Sequence, residues 1–237
     1  MVWVALDKLV AGVLPDACVA CDEVLPDGVA FLCARCADLT LDVPSAHCVR
    51  CGEPGRFRSS RCSRCSSEPP PFLHAWAPFE HEGALARAIH RFKYEDRSDL
   101  SRPLALELAA RARRHLGDLP GTLVPVPLHE ARFRQRRYDQ AALIAQELGR
   151  CWGRRVAFDW LERSRPTSRQ VGLNEARREA NVAGAFRAPR LEGAVILVDD
   201  VLTTGATARE ATRALLQAGA SEVRVLTLAR ARRETAK

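Results

Sequence analysis

The sequence predicts an α/β domain built on a mainly parallel sheet, preceded by a small metal-stabilised module. Two observations carry this. After residue 71, short apolar runs alternate with stretches whose apolar residues recur at helical spacing. Before residue 66, eight of the nine cysteines fall into four C-x-x-C pairs, in a segment with little other apolar content. The 237 residues suit one mid-sized domain plus such a module.

Taken in order, the chain opens on MVWVALDKLVAGVLP, an apolar stretch too short to span a bilayer. It lacks a basic leader region and carries Asp7 and Lys8 inside it, which predicts an amphipathic helix packed on the body. With no apolar run of spanning length elsewhere, the expectation is a cytoplasmic chain with no membrane span.

The cysteine pairs follow: Cys18/Cys21, Cys33/Cys36, Cys48/Cys51 and Cys62/Cys65. A redox dithiol usually occurs once, beside a βαβ unit, and a disulfide scaffold needs an oxidising compartment. Four evenly spaced pairs fit two tetrahedral zinc sites, which would stabilise a segment too small to bury a core of its own. Either the first two pairs form one site and the last two another, or the pairs cross. Cys151 stands alone and reads as a buried structural residue. Each four-thiolate site carries two negative charges, so metal lowers the formal charge of +7. The first 71 residues hold slightly more acid than base, leaving the excess arginine to the remainder. Locally, Arg50, Arg56, Arg58, Arg61 and Arg64 crowd the last two pairs.

The Pro-rich run SSEPPP at 66–71 is a stiff connector. It sets expected boundaries at 1–68 for the helix and zinc module and 72–237 for the α/β domain. Beyond it, FLHAWAPFEH reads as extended, and GALARAIHRFKYE and DLSRPLALELAARARRHL read as helices. TLVPVPL is a short strand cut by prolines. YDQAALIAQELGRCWG is a helix that Gly149 or Gly153 can stop. RVAFDWL is a candidate strand, and residues 163–184 are polar and Arg-rich. AVILV is a buried strand, GATAREATRALLQAG a helix ending near Gly219, and EVRVLTLAR a strand.

AVILV ends in Asp199 and Asp200, at the edge of a parallel sheet where ligands bind. Thr203, Thr204, Gly205, Ala206 and Thr207 then lead into a helix. Unsatisfied N–H groups at a helix start, with hydroxyls and a glycine beside them, make a cradle for phosphate. The acids would repel that phosphate, so they suit hydroxyls or a divalent metal a few ångströms away. A sugar diol on one side and a phosphate on the other, as in a ribose 5-phosphate, satisfies both. A Walker B reading requires an upstream G-x-x-x-x-G-K-[ST] loop, and the chain has no Gly-Lys dipeptide.

This stretch resembles the ribose-phosphate signature of type I phosphoribosyltransferases. VPVPLHEARFRQRRYDQAALIA and RPTSRQVGLNEARREANVAGAF resemble blocks of the ComF family, late-competence phosphoribosyltransferase-like proteins with an N-terminal double zinc ribbon. Arg137-Tyr138-Asp139-Gln140 departs from that family's usual Arg-Gly-Phe-Asn-Gln by lacking the glycine. The resemblance implies a type I phosphoribosyltransferase-like fold binding 5-phosphoribosyl 1-pyrophosphate with Mg²⁺. Asp199 and Asp200 would meet the ribose hydroxyls, directly or through the metal, and Thr203 to Thr207 the 5-phosphate. Pro127, Leu128 and His129 would form the pyrophosphate loop, with His129 alternatively a surface residue. Lys93, one of three lysines, matches the family's Lys-Tyr pair near the pyrophosphate. Arg165, Thr167, Gln170, Arg177 and Asn181 would belong to a mobile hood, or else to a solvated charged loop. The resemblance also implies a role in natural transformation. Two functions follow: a transferase with an unidentified acceptor, or a non-catalytic factor binding single-stranded DNA and the DNA-uptake machinery.

Overall fold

The computed structural model describes residues 16–128, 133–134, 136–165 and 182–232. The helix expected over the first 15 residues lies outside them, as do His129, Thr167, Gln170, Arg177 and Asn181.

Each cysteine module is a short knuckle followed by one turn of helix, and the two repeat each other closely. Cys18 N donates to Glu23 O and Cys48 N to Glu53 O, closing the knuckles. Helices α1 (Ala34–Asp38) and α2 (Ser63–Ser67) begin just after Cys33 and Cys62, which hold the same extended backbone, φ −68° and −66°. The pairing is sequential: the sulfurs of Cys18, Cys21, Cys33 and Cys36 lie within 4.8 Å of one another, as do those of Cys48, Cys51, Cys62 and Cys65.

The remainder is a parallel sheet between helices. Strands β1 (His74–Trp76) and β2 (Phe79–Glu80), interrupted at Pro78, both pair with one edge of β7 (Ala220–Arg230). The order continues through β6 (Gly193–Leu202) to β3 (Thr122–Pro125), all parallel. A separate antiparallel pair joins β4 (Glu162–Arg163) to β5 (Phe186–Arg187). Helices α3 (Gly83–Tyr94), α4 (Ser101–Leu116) and α5 (Gln140–Trp152) cover one face; α6 (Ala206–Gln217) covers the other.

Alternation along β6 divides the core. Ile196 and Val198 face the α3–α5 layer, while Val195 and Leu197 face α6. Both cysteine modules join these layers. Cys18, Cys33 and Cys36 pack with Leu85, Ile89 and Phe92; Cys48, Cys51, Cys62 and Cys65 pack with Phe72, Ala75 and Val225.

Two expectations need correction. The run 155–161 is only a bridge, Leu123 to Val156, flanked by Leu123 N to Arg155 O and Ala157 N to Leu123 O. In a strand, residues two apart aim their N–H groups the same way. The next donor toward residue 157 would therefore be Pro125, which has none, and the ladder stops. Cys151 is exposed, because the apolar stripe of α5 runs through Ala141, Ile144, Ala145 and Leu148 and leaves it outside. Of the two candidate stops for this helix, Gly153 ends it, in left-handed backbone at φ 62°.

Candidate functional site

The carboxyl ends of β6 and β3 open into a cavity of about 630 Å³. Asp199, Asp200, Thr203, Gly205 and Thr207 line it from β6 and the following turn; Pro127 and Leu128 come from the end of β3, and Lys93 from α3. The structure thus brings together residues spread over more than 100 positions of sequence.

The adjacent acids diverge by strand alternation. Asp200 follows the α3 side, where it accepts from Lys93 Nζ at 2.8 Å; both side chains are largely buried. Asp199 turns back to accept from the backbone N–H of Asp200 at 2.8 Å. Burial, and then the neighbouring Asp200 charge, push the Asp199 carboxyl up to about 7.

The turn after β6 leads straight into the start of α6. Gly205 precedes α6 at φ 83°, a left-handed conformation costly for residues with a Cβ. The first intrahelical donor here is Arg209 N, bonded to Gly205 O at 2.8 Å. The preceding N–H groups have no intrahelical acceptor, and the macrodipole makes this end positive.

Asp139, His81 and Arg136 also line the cavity and were missed by sequence reasoning. Asp139 caps α5, accepting from Ala142 N at 3.0 Å, and its other oxygen accepts from Leu128 N at 2.8 Å. One carboxylate therefore fixes both a helix start and the turn after β3. Burial raises its pKa, against the two backbone donors. Burial and then Lys93 lower the pKa of His81, favouring neutral imidazole. Arg136 donates to Gln140 Oε1 at 3.0 Å and lies 4.9 Å over the ring of Tyr94. The block resemblance could have signalled Asp139; no local signal marks the other two. Arg165 is exposed and donates to Ala183 O at 2.6 Å.

The cysteine clusters fit zinc. Tetrahedral Zn–S bonds of about 2.3 Å place sulfurs roughly 3.8 Å apart. Cys21–Cys33, Cys21–Cys36 and Cys51–Cys62 lie at 3.8, 3.6 and 3.7 Å, far beyond a disulfide bond. Arg87 Nη2, 3.7 Å from Cys36 Sγ, offsets thiolate charge.

A parallel sheet whose central strand ends in paired acids and a Thr/Gly turn defines a phosphoribosyltransferase-type domain, and residues 165–237 match the family described as phosphoribosyl transferase domain. Across 224 residues the chain is 34% identical to the DNA utilization protein YhgH of Escherichia coli strain K12, spanning 92% of this chain and 98% of that protein. It is 31% identical to Competence protein F of Haemophilus influenzae, over 90% and 96% of the two chains. Competence protein ComFC of Bacillus subtilis is 26% identical over 64% of this chain and 62% of its own. The chain belongs to the ComF family. Among the described residues, no helix is long and apolar enough to cross a membrane.

Proposed function

We propose that the chain binds 5-phosphoribosyl 1-pyrophosphate in this cavity and serves the use or uptake of DNA. The observation that carries the reading is the open cavity joining the acidic pair, the anion turn and Lys93. The N–H groups and hydroxyls of 203–207 hold the 5-phosphate. Asp199 and Asp200 accept hydrogen bonds from the ribose hydroxyls. Lys93 exchanges its carboxylate partner for the more strongly charged pyrophosphate. Adjacent carboxylates beside a polyphosphate also fit Mg²⁺, which would neutralise charge on the departing pyrophosphate. If transfer occurs, the protein's task is positioning, charge stabilisation and exclusion of water from a cationic ribose centre. The segment carrying Arg165, Thr167, Gln170, Arg177 and Asn181 would act as the hood. Names of the relatives, DNA utilization and competence protein, support the wider role.

Calorimetry with 5-phosphoribosyl 1-pyrophosphate and Mg²⁺ tests the site. Binding should appear in the native protein and weaken at least tenfold in Asp200→Ala; equal affinity in the two would remove the assignment.

A second reading is favoured by Arg56, Arg58 and Arg61, all exposed beside the second cysteine cluster. They form a basic surface for single-stranded DNA. Filter retention should fall steeply between 50 and 200 mM salt, as expected of phosphate contacts at about those concentrations. No retention at the lowest salt would discard this reading.

A further inference from the structure

An anion cradle needs its N–H groups turned inward, so its carbonyls must be held outward by something else. Here two arginines bond to those carbonyls, Arg230 of β7 and Arg64 of the second cysteine module. Arg230, at the end of β7, is only 1% exposed. Its Nη1 donates to Leu202 O at 2.9 Å and to Thr203 O, while Nη2 pairs with Glu53. Arg64, between Cys62 and Cys65, donates to Thr204 O at 3.4 Å. Three consecutive carbonyls at the start of the turn are thus held from behind.

Glu53 belongs to the knuckle: its own carbonyl accepts from Cys48 N at 2.8 Å, and Cys51 lies two residues before it. A guanidinium as buried as Arg230 requires a counter-charge. The fold of the knuckle places one. The first module shows the difference: Glu23 occupies the equivalent position, yet is half exposed and pairs with exposed Arg35, at 3.5 Å. Both modules carry the carboxylate, and in the second it is largely buried against Arg230.

We propose that the second cysteine module is a positioning element for the anion turn, acting through Glu53 and Arg230, with Arg64 as a second support. The proposal rests on the reading that residues 203–207 grip a phosphate. Glu53 and Arg230 are positioning residues; neither lines the cavity.

The test compares Glu53→Gln with Glu23→Gln in the full-length protein, each checked for two zinc ions per chain. Amide hydrogen exchange of the 200–210 segment should quicken at least tenfold in Glu53→Gln alone, and calorimetric affinity for ribose 5-phosphate should fall about tenfold. Native-like exchange in Glu53→Gln, or equal acceleration in both variants, overturns the proposal. If the native protein fails to bind ribose 5-phosphate, the phosphate reading falls, and the exchange comparison still decides whether the module holds the turn. Should Glu53→Gln lose metal or fail to fold, Arg64→Ala replaces it: faster exchange in the same segment supports the support role, and unchanged exchange refutes it.

Discussion

Asp199 sets the pH behaviour of the site. Its pKa is raised from the model-peptide range to about 7, so between pH 4 and 7 the folded protein binds more protons than the unfolded chain. Stability therefore falls as pH rises through that window, and the penalty is fully present above it. The ligand contacts proposed above call for the opposite, ionised form. Affinity for 5-phosphoribosyl 1-pyrophosphate with Mg²⁺ should rise from pH 6 to 8 as the carboxylate forms. Asp199→Asn should flatten that rise, weaken binding and raise the melting temperature at pH 8 by a few degrees, about 2–4 °C per kcal/mol relieved. Thermal scans and calorimetry at both pH values measure the three effects. A second residue-scale strain lies at Arg137, a residue with a Cβ in left-handed backbone. It sits at φ 64°. Its pairing with Asp96 at 3.1 Å is exposed and contributes little. Arg137→Gly should stabilise by about 1 kcal/mol, the lower end of the left-handed penalty, read from a denaturation midpoint.

Among elements, α5 matters for where it begins. Asp139 caps the helix and holds Leu128 N, so the turn after β3 is anchored to a helix rather than left as free loop. Tyr138 adds a tie to the end of α3, donating to Phe92 O at 2.5 Å. Removing the carboxylate in Asp139→Ala should cost about 1–2 kcal/mol for the lost cap. If the turn after β3 holds pyrophosphate, as proposed, the same variant should weaken pyrophosphate more than ribose 5-phosphate. Competition calorimetry with the two ligands separates a loosened turn from a general loss of fold.

For the whole molecule, the cysteine modules are not appendages. Their sulfurs pack among side chains of both sheet faces, and their arginine and glutamate partners reach α3, the turn after β6 and β7. Chelation should therefore lower the melting temperature of the entire chain by more than 10 °C, in one cooperative transition followed by circular dichroism. A chelated protein whose α/β part melts as before would mean the modules are independent.

The amino-acid sequence alone determined the pieces with local causes. The C-x-x-C spacing marks two four-cysteine clusters that fit zinc, VILVDD marks a buried strand ending in acids, and TTGAT marks the turn into the next helix. Helical periodicity marks α3 to α6 because it records which side of each helix is buried. It could not settle the run 155–161, where one proline in a neighbouring strand decides whether a ladder propagates. Nor could it join Lys93 to Asp200, Asp139 to Leu128, or Glu53 to Arg230. Those contacts arise from strand order and strand alternation, which bring distant segments to one sheet edge, and a linear chain carries no local record of which segments will meet there.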